Sequence, residues 1–310
     1  MVKNLTREGD EMKIKGILFT ILSAVIFGFT PALASITYGL GNNSLSMTFY
    51  RNLFAIPFLF LILKYKRIPL KAEKSELKNI FILSLIGVSI TTALLYSSYS
   101  YIGIGAATTL HFMYPIFVAL ACKFIFKEKL GRGKVFSLIL AFFGVALFMD
   151  TKSSGNISGA LMALISGGTY AFYILWLDKK DLVKINPYKL SFYIVTFASL
   201  EMLLGNIWGG YIEVNLPLKA YILMILCSIL ASIVGIVSFQ IGVSIIGSTS
   251  AAIFSLFEPI TSVISGIILF NESLNISKII GCLVIFLAIT YLAIESKTKN
   301  DTIILDNETI

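Results

Sequence analysis

Long apolar segments separated by short polar connections dominate this sequence. A helix needs about 20 consecutive apolar residues to cross a bilayer, and ten segments come close to or exceed this length. The predicted spans are residues 14–38, 44–63, 79–101, 106–126, 134–149, 158–177, 190–210, 217–241, 247–270 and 277–294. The connections leave no room for a separate water-soluble domain. The pattern therefore predicts an all-α, polytopic membrane protein with ten transmembrane helices.

An internal repeat relates the two halves of the chain. Four residues recur 144 positions further on: Pro115, Phe126, Glu128 and Leu130 match Pro259, Phe270, Glu272 and Leu274. Residues 15–28 likewise align with residues 158–171. Duplicated membrane segments, with a proline inside one helix of each copy, are typical of secondary transporters. We therefore predict two five-helix repeats, 14–150 and 151–296, between polar tails at 1–13 and 297–310.

The distribution of positive charge predicts the topology. Five helices per repeat is an odd number, so the second repeat enters the membrane in the opposite sense to the first. With both termini inside, 21 of the 25 lysines and arginines lie on inner segments and three on outer ones. Positive residues concentrate on the cytoplasmic side of membrane proteins. We expect an inverted repeat in the cell (plasma) membrane, with both termini cytoplasmic.

Composition excludes several other classes. The chain is 57% hydrophobic and only 14% charged, against about 25% charged in a soluble domain, so lipid must cover much of its surface. The net charge of +8 is explained by the topology and does not indicate a nucleic-acid partner. Cys122, Cys227 and Cys282 lie in apolar runs without metal-ligand spacing, and we expect neither a metal nor a cofactor. A signal peptide cleaved after Ala32–Ser35 is disfavoured because its apolar stretch recurs inside the chain.

These features resemble the EamA-type transporters of the drug/metabolite transporter superfamily. The resemblance extends over residues 14–295 and rests on the stretches Phe49–Ala55 and 144–147 and on the spacing from each repeated proline to Glu128 or Glu272. The first helix departs from the family by having Phe27 before its glycine, where tryptophan is frequent. The resemblance implies the ten-helix fold and transport of amino acids, other metabolites, cations or quaternary amines. It also implies that the two glutamates help to close the helix ends.

Four ionisable residues stand out within the predicted spans, where insertion costs at least ~2.5–3.5 kcal/mol each. Glu258, directly before Pro259, could exchange a proton, bind a cationic substrate, or only hydrogen-bond a neighbouring helix. Arg51 could bind a substrate carboxylate or phosphate or serve as a structural ion-pair partner. Glu201 could pair with Arg51 or act as a second proton site. His111 has an unperturbed pKa near ~6.5, which suits proton exchange, or it could be a satisfied buried polar residue.

Aromatic residues form a second candidate group. Tyr114, aligned with Glu258, lies one turn after His111, so the two are expected to share a helix face. Tyr96, aligned with Gln240, and Tyr170 could form aromatic walls that attract an ammonium group through cation–π contacts, or they could lie at the membrane interface. The predicted substrate-binding residues are Glu258, His111, Tyr96, Tyr170, Arg51, Gln240 and Tyr114. The predicted proton-coupling residues are Glu258, His111 and Glu201.

The sequence favours a secondary active transporter that exports small polar metabolites, such as amino acids or amines, by alternating access. Proton coupling is left open, as are the substrate and the choice between monomer and homodimer. The alternatives are a choline or quaternary-amine uptake permease and a lipid-handling membrane protein. An enzyme is not expected, because a lone histidine without an HExxH or GxSxG motif offers no clustered catalytic groups.

Overall fold

A computed structural model describes residues 2–147, 156–270 and 276–308, and every regular element in those ranges is helical. The α-helices are α1 Val2–Tyr38, α2 Ser44–Tyr65, α3 Lys74–Ser84, α4 Thr91–His111, α5 Tyr114–Phe124, α6 Arg132–Ala146, α7 Ile157–Lys179, α8 Pro187–Gly209, α9 Leu218–Cys227, α10 Ile236–Phe254, α11 Phe257–Phe270 and α12 Ile276–Glu308. Two π-helical segments, Leu85–Ile90 and Ser228–Gly235, join α3 to α4 and α9 to α10. A short 3₁₀ turn, Leu182–Lys184, precedes α8.

The predicted membrane fold is confirmed. Within the described ranges, eight helical stretches are long and apolar enough to cross a bilayer. One of them, Leu218–Phe254, contains the eighth predicted span and the beginning of the ninth. Gly247, at φ 75°, separates these two parts, and α11 completes the ninth span. The fifth predicted span corresponds to the 15-residue α6, and the predicted repeat boundary at 150/151 lies outside the described residues.

The two proline helices are broken, which corrects the prediction that each proline lies inside one continuous helix. The chain turns at residues 112–113 and again at 255–256. Pro115 then occupies the first turn of α5, and Pro259 occupies the first turn of α11. A proline has no amide hydrogen to donate and its ring clashes with the preceding turn, so a fresh helix start accommodates it. Each break leaves polar backbone groups in the middle of the bundle.

The π-helical segments were not predicted, and they occupy equivalent places in the two halves. Their first residues are 143 positions apart and their last residues are 145 apart. The first segment brings Gly87 against α7, where an added Cβ would lie 2.6 Å from the Tyr173 Cβ. Because π-helical turns are rare and frequently mark functional sites, this segment indicates that the functional site lies beside it in the bundle.

The halves of the chain interlock. Helix α1 packs against α10 and α11, while α7 packs against α4 and α5. Two glycines permit matching close approaches. A Cβ added to Gly16 would lie 2.8 Å from Ile245, and one added to Gly159 would lie 2.5 Å from Tyr101. These residue pairs are offset by 143 or 144 positions, as in the sequence repeat. The first helix of each half is therefore held by the other half.

Two tyrosine hydrogen bonds reinforce this exchange. The Tyr50 hydroxyl on α2 donates to the Glu213 carbonyl at 3.0 Å. The Tyr193 hydroxyl on α8 donates in the same way to the Leu70 carbonyl. Donor and acceptor are each displaced by 143 positions between the two bonds. Each half therefore binds a connecting loop of the other half through one tyrosine. The two contacts lie at opposite ends of the bundle.

Two apolar clusters flank the middle of the bundle. The larger one includes Tyr114, Leu177, Val243 and Phe254 and fills the end where both termini lie. A smaller one around Leu33, Phe49, Tyr50 and Met224 lies toward the opposite end. Polar and ionisable side chains accumulate between them.

Candidate functional site

A cavity of about 150 Å³ lies in the middle of the bundle, at the level where the proline helices break. Its walls come from α1, α2, the first π-helical segment, α4, α7, α10 and α11. The predicted site residues that line it are Arg51, Tyr96, His111, Tyr170 and Glu258. These side chains come from four different helices, α2, α4, α7 and α11, so only the tertiary fold brings them together.

Glu258 lies in the first turn of α11. The positive end of a helix dipole favours a negative charge at this position. Its backbone is fixed by α1, since a Cβ added to Gly28 would lie 2.4 Å from the Glu258 carbonyl oxygen. The Ser262 hydroxyl, one turn later, donates to the Gly28 carbonyl at 3.0 Å. No ion-pair partner approaches the Glu258 carboxylate within 4 Å among the described residues. The carboxylate is thus positioned by its backbone and left available to the cavity.

Arg51 enters the cavity from α2. Its Nε atom is buried and lacks a hydrogen-bond partner, and no carboxylate of the described chain lies within ion-pair distance. Arg51 and Glu201 therefore do not form the ion pair that the sequence left open. The Arg51 side chain is half-buried, and a buried N–H without a hydrogen-bond partner is costly. The cavity consequently presents an arginine and a glutamate side chain that do not form an ion pair with each other.

His111 ends α4 and is held in a defined orientation. Its Nδ1 atom lies 2.9 Å from the Ser166 Oγ, and the Ser166 hydroxyl donates to the Ala163 carbonyl at 2.6 Å. Since that hydroxyl hydrogen is already used, Nδ1 is the donor and carries the proton. The neutral ring then offers Nε2 as an acceptor. Gly167 lets α7 approach, because a Cβ there would lie 2.7 Å from the His111 carbonyl oxygen.

Tyrosines build the remaining walls. Tyr170 and Tyr173 stack with ring centroids 5.8 Å apart and planes inclined by 3°. Tyr96 and Tyr99 lie 5.4 Å apart on α4, and all four line the cavity. Their π-faces can attract a cation, while their hydroxyls can donate and accept hydrogen bonds.

Three predicted site residues lie outside the cavity lining. Tyr114 is fully buried below it and packs edge-on against Tyr170 at 4.8 Å. Tyr114 also lies beside His111, with ring centroids 5.7 Å apart, so the two are neighbours as predicted, although only His111 lines the cavity. Gln240 is 2% exposed, and its Oε1 accepts from the Ser191 hydroxyl at 3.4 Å.

Glu201 is the third of these residues. One of its carboxylate oxygens, Oε2, accepts hydrogen bonds from Ser84 at 3.1 Å and Ser89 at 2.6 Å. Ser84 precedes the first π-helical segment and Ser89 lies within it. Glu201 therefore anchors the outer face of the segment whose Gly87 and Val88 line the cavity.

Sequence reasoning missed several hydroxyl groups at the cavity. Thr91 and Thr92, just after the π-helical segment, line it, as does Ser262 on α11. The Thr91 hydroxyl donates to Thr169 at 2.7 Å. Two adjacent threonines inside an otherwise apolar span were the only sign in the sequence of these polar groups. Their orientation depends on the preceding π-helical turn, which no sequence periodicity identifies. The described residues contain no cluster of three metal-ligating side chains.

One predicted helix-end contact is also visible. Glu128 forms an ion pair with Lys179 at the end of α7, which ties the connection after α5 to the other half of the chain. Its repeat partner, Glu272, lies outside the described residues.

Comparisons with known proteins agree with this architecture. Similar proteins include uncharacterized transporters from Bacillus subtilis (YcbK, 25% identical over 92% of this chain and 96% of the relative) and Archaeoglobus fulgidus (27%, 88% and 92%). A protein crystal structure with a TM-score of 0.77 covers 91% of this chain and 98% of its own, at 12% identity, and so shows the shared fold alone. The profile of the EamA-like transporter family matches residues 14–149 and 157–294. The chain therefore belongs to the EamA-like transporter family.

Proposed function

We propose that this multi-pass membrane transporter exports small polar metabolites by alternating access, with amino acids as the favoured substrates and amines next. The observation that carries the proposal is the presence of an arginine and a glutamate that form no ion pair, Arg51 and Glu258, on the wall of one aromatic cavity. An α-amino acid has the complementary pair of charges. Its carboxylate matches the planar guanidinium fork, and its ammonium group matches the Glu258 carboxylate together with tyrosine π-faces.

The size of the cavity supports a small solute. Its volume of about 150 Å³ is roughly ten times the ~10–15 Å³ that a cavity needs to hold one water molecule. A solute of that size would displace most of the water around Arg51 and Glu258. Each ionic contact would then be stronger than in bulk solvent.

The single cavity carboxylate suggests how transport is coupled and directed. Glu258 would bind either a proton or the substrate ammonium group, but not both at once. Proton and substrate would then cross the membrane in opposite directions. An inward proton gradient would then drive the substrate outward. His111 offers a second proton acceptor at Nε2, whereas Glu201 reaches the cavity only through the π-helical segment. With both termini cytoplasmic, the large apolar cluster would be the closed inner gate.

The broken helices suggest the moving parts. Glu258 lies directly after one break and His111 directly before the other, and each faces a glycine of the opposite half, Gly28 or Gly167. A change of angle at either break would move a cavity residue against a helix of the other half. This supports alternating access around one site.

The test is transport by purified protein in liposomes loaded with single amino acids, primary amines or choline. We expect amino-acid counterflow in the wild type and its loss in Arg51→Gln and Glu258→Gln. Matched controls are Arg132→Gln and Glu213→Gln, which remove the same charges from exposed positions. Unchanged counterflow in both cavity variants would refute the site.

A second substrate class, quaternary amines, is favoured by the four tyrosines at the cavity. Arg51 opposes it, because a purely cationic solute would face an unpaired positive charge. The choline arm separates the two classes. Choline transport that improves in Arg51→Gln, without amino-acid transport in the wild type, would favour the quaternary-amine reading.

A further inference from the structure

A second cavity, of about 330 Å³, opens at the end of the bundle where both termini lie. Three lysines contribute to its lining: Lys13 on α1, Lys129 before α6, and Lys134 on α6. Its apolar wall is formed by Ile17, Ile245, Ile246, Phe254 and Leu292. None of the described residues that line it is acidic. Lysine side chains therefore line one side of the cavity and apolar side chains the other, and the cavity is separate from the transport cavity.

Ser250 marks a place for a ligand on this wall. The residue is only 6% exposed, it lines the cavity, and its hydroxyl has no hydrogen-bond partner among the described residues. The Ser250 Oγ atom itself is open to the cavity, where a ligand could bond to it. The 15-residue α6 begins beside it, and its N-cap, Gly131, has no side chain to satisfy the first amides. These groups all favour an anion with several oxygen atoms.

Topology alone explains the lysines but not the serine. Inner segments are expected to be rich in lysine, so Lys13, Lys129 and Lys134 by themselves prove nothing. The equivalent of Ser250 in the first repeat, 144 positions earlier, is Ala106. The hydroxyl is therefore present in only one half of the duplicated scaffold, at the end where the lysines are.

We propose that this cavity binds the phosphate headgroup of an anionic phospholipid, with an acyl chain against Phe254 and Leu292. Basic pockets between transmembrane helices on the cytoplasmic side bind such headgroups. Free phosphate shares the headgroup chemistry but gains nothing from the apolar wall. On the neighbouring face of α1, Ile14 and Leu18 are more than half exposed, so lipid has an apolar path to the cavity. Bound lipid would tie α1 to α6 and α10 beside the inner gate.

The test measures the melting temperature of purified protein in neutral detergent during titration with phosphatidylglycerol, phosphatidylcholine or inorganic phosphate. We expect phosphatidylglycerol to raise the melting temperature most. In Lys129→Gln/Lys134→Gln, the titration midpoint should move to roughly thirty-fold higher phosphatidylglycerol. Ser250→Ala should weaken the response roughly tenfold. The control Lys64→Gln/Lys74→Gln removes two exposed lysines from the same side of the bundle and should respond like the wild type.

Three results would overturn the proposal. An unchanged response in Lys129→Gln/Lys134→Gln would remove the lysines from the site. A full response in Ser250→Ala would reduce the effect to general surface charge. Equal stabilisation by inorganic phosphate would show a free-anion site and not a lipid site. Each variant is compared with its own melting temperature without lipid, so a loss of basal stability does not obscure the outcome.

Discussion

The contact between Gly28 and the backbone of Glu258 gives the sharpest structural prediction. In Gly28→Ala, the new Cβ would lie 2.4 Å from the Glu258 carbonyl oxygen and 2.7 Å from the Thr261 Cβ. Carbon–oxygen contacts in proteins begin at about 3.3 Å, so α1 and α11 must separate by about 0.9 Å. A backbone carbonyl cannot rotate aside as a flexible side chain does, and the strain must appear in helix packing.

The magnitude follows from a matched glycine. Gly168 on α7 has nothing within 4 Å of an added Cβ, so Gly168→Ala gains only the helix preference for alanine, about 0.5–1 kcal/mol. Gly28→Ala has the same gain but also incurs overpacking, typically about 1–3 kcal/mol. The difference in unfolding free energy between the two variants therefore measures the overpacking alone. We expect Gly28→Ala to be less stable than Gly168→Ala by about 1–3 kcal/mol.

The assay is reversible unfolding in mixed micelles, read by circular dichroism, together with substrate counterflow in liposomes. Because displacement of α11 moves Glu258 relative to Arg51, counterflow in Gly28→Ala should fall at least about tenfold, which corresponds to 1.4 kcal/mol. Gly168→Ala should keep its flux. If both variants have equal stability and equal flux, the close approach of α1 to Glu258 is not a feature of the working protein.

The other predictions concern hydrogen bonds around the site. Tyr50→Phe and Tyr193→Phe should each lower the free energy of unfolding by about 0.5–1.5 kcal/mol. If either variant unfolds with the wild-type free energy, the hydrogen bond from that tyrosine to its loop does not stabilise the protein. Ser166→Ala leaves the His111 Nδ1–H without its acceptor and should lower the free energy of unfolding by about 1–3 kcal/mol. An unchanged free energy of unfolding would contradict the assigned tautomer. Glu201→Gln keeps acceptors for Ser84 and Ser89 and should retain proton-coupled flux, whereas lost coupling would make Glu201 a proton site.

Hydrophobicity and charge were sufficient to predict the fold, because each spanning helix must satisfy its own backbone and cover its sides with apolar residues. The internal breaks were harder to place. Pro115 and Pro259 indicated irregular backbone, but the turns fall two to four residues earlier, at residues other than proline and glycine. The π-helical segments have no sequence periodicity to detect.

Site residues were predicted correctly where an ionisable residue is rare inside a membrane span. They were not where the position of the side chain depends on how the helices pack. Arg51, His111 and Glu258 stand out because ionisable groups are costly in lipid, and all three line the cavity. Glu201 is equally rare but faces Ser84 and Ser89, since its orientation depends on how α8 packs against α3. Tyr114 lies beside His111 as predicted, but it is fully buried and does not line the cavity. Those two placements required the tertiary structure.

The most direct test of the central claim measures substrate and proton movement together. Liposomes containing a trapped pH indicator and wild-type protein are given an amino-acid gradient, and both fluxes are recorded. We expect proton movement opposite to amino-acid movement in the wild type, and neither coupled flux in Glu258→Gln, while Glu213→Gln behaves like the wild type. Coupled exchange that persists in Glu258→Gln would contradict the claim that this carboxylate alternates between proton and substrate.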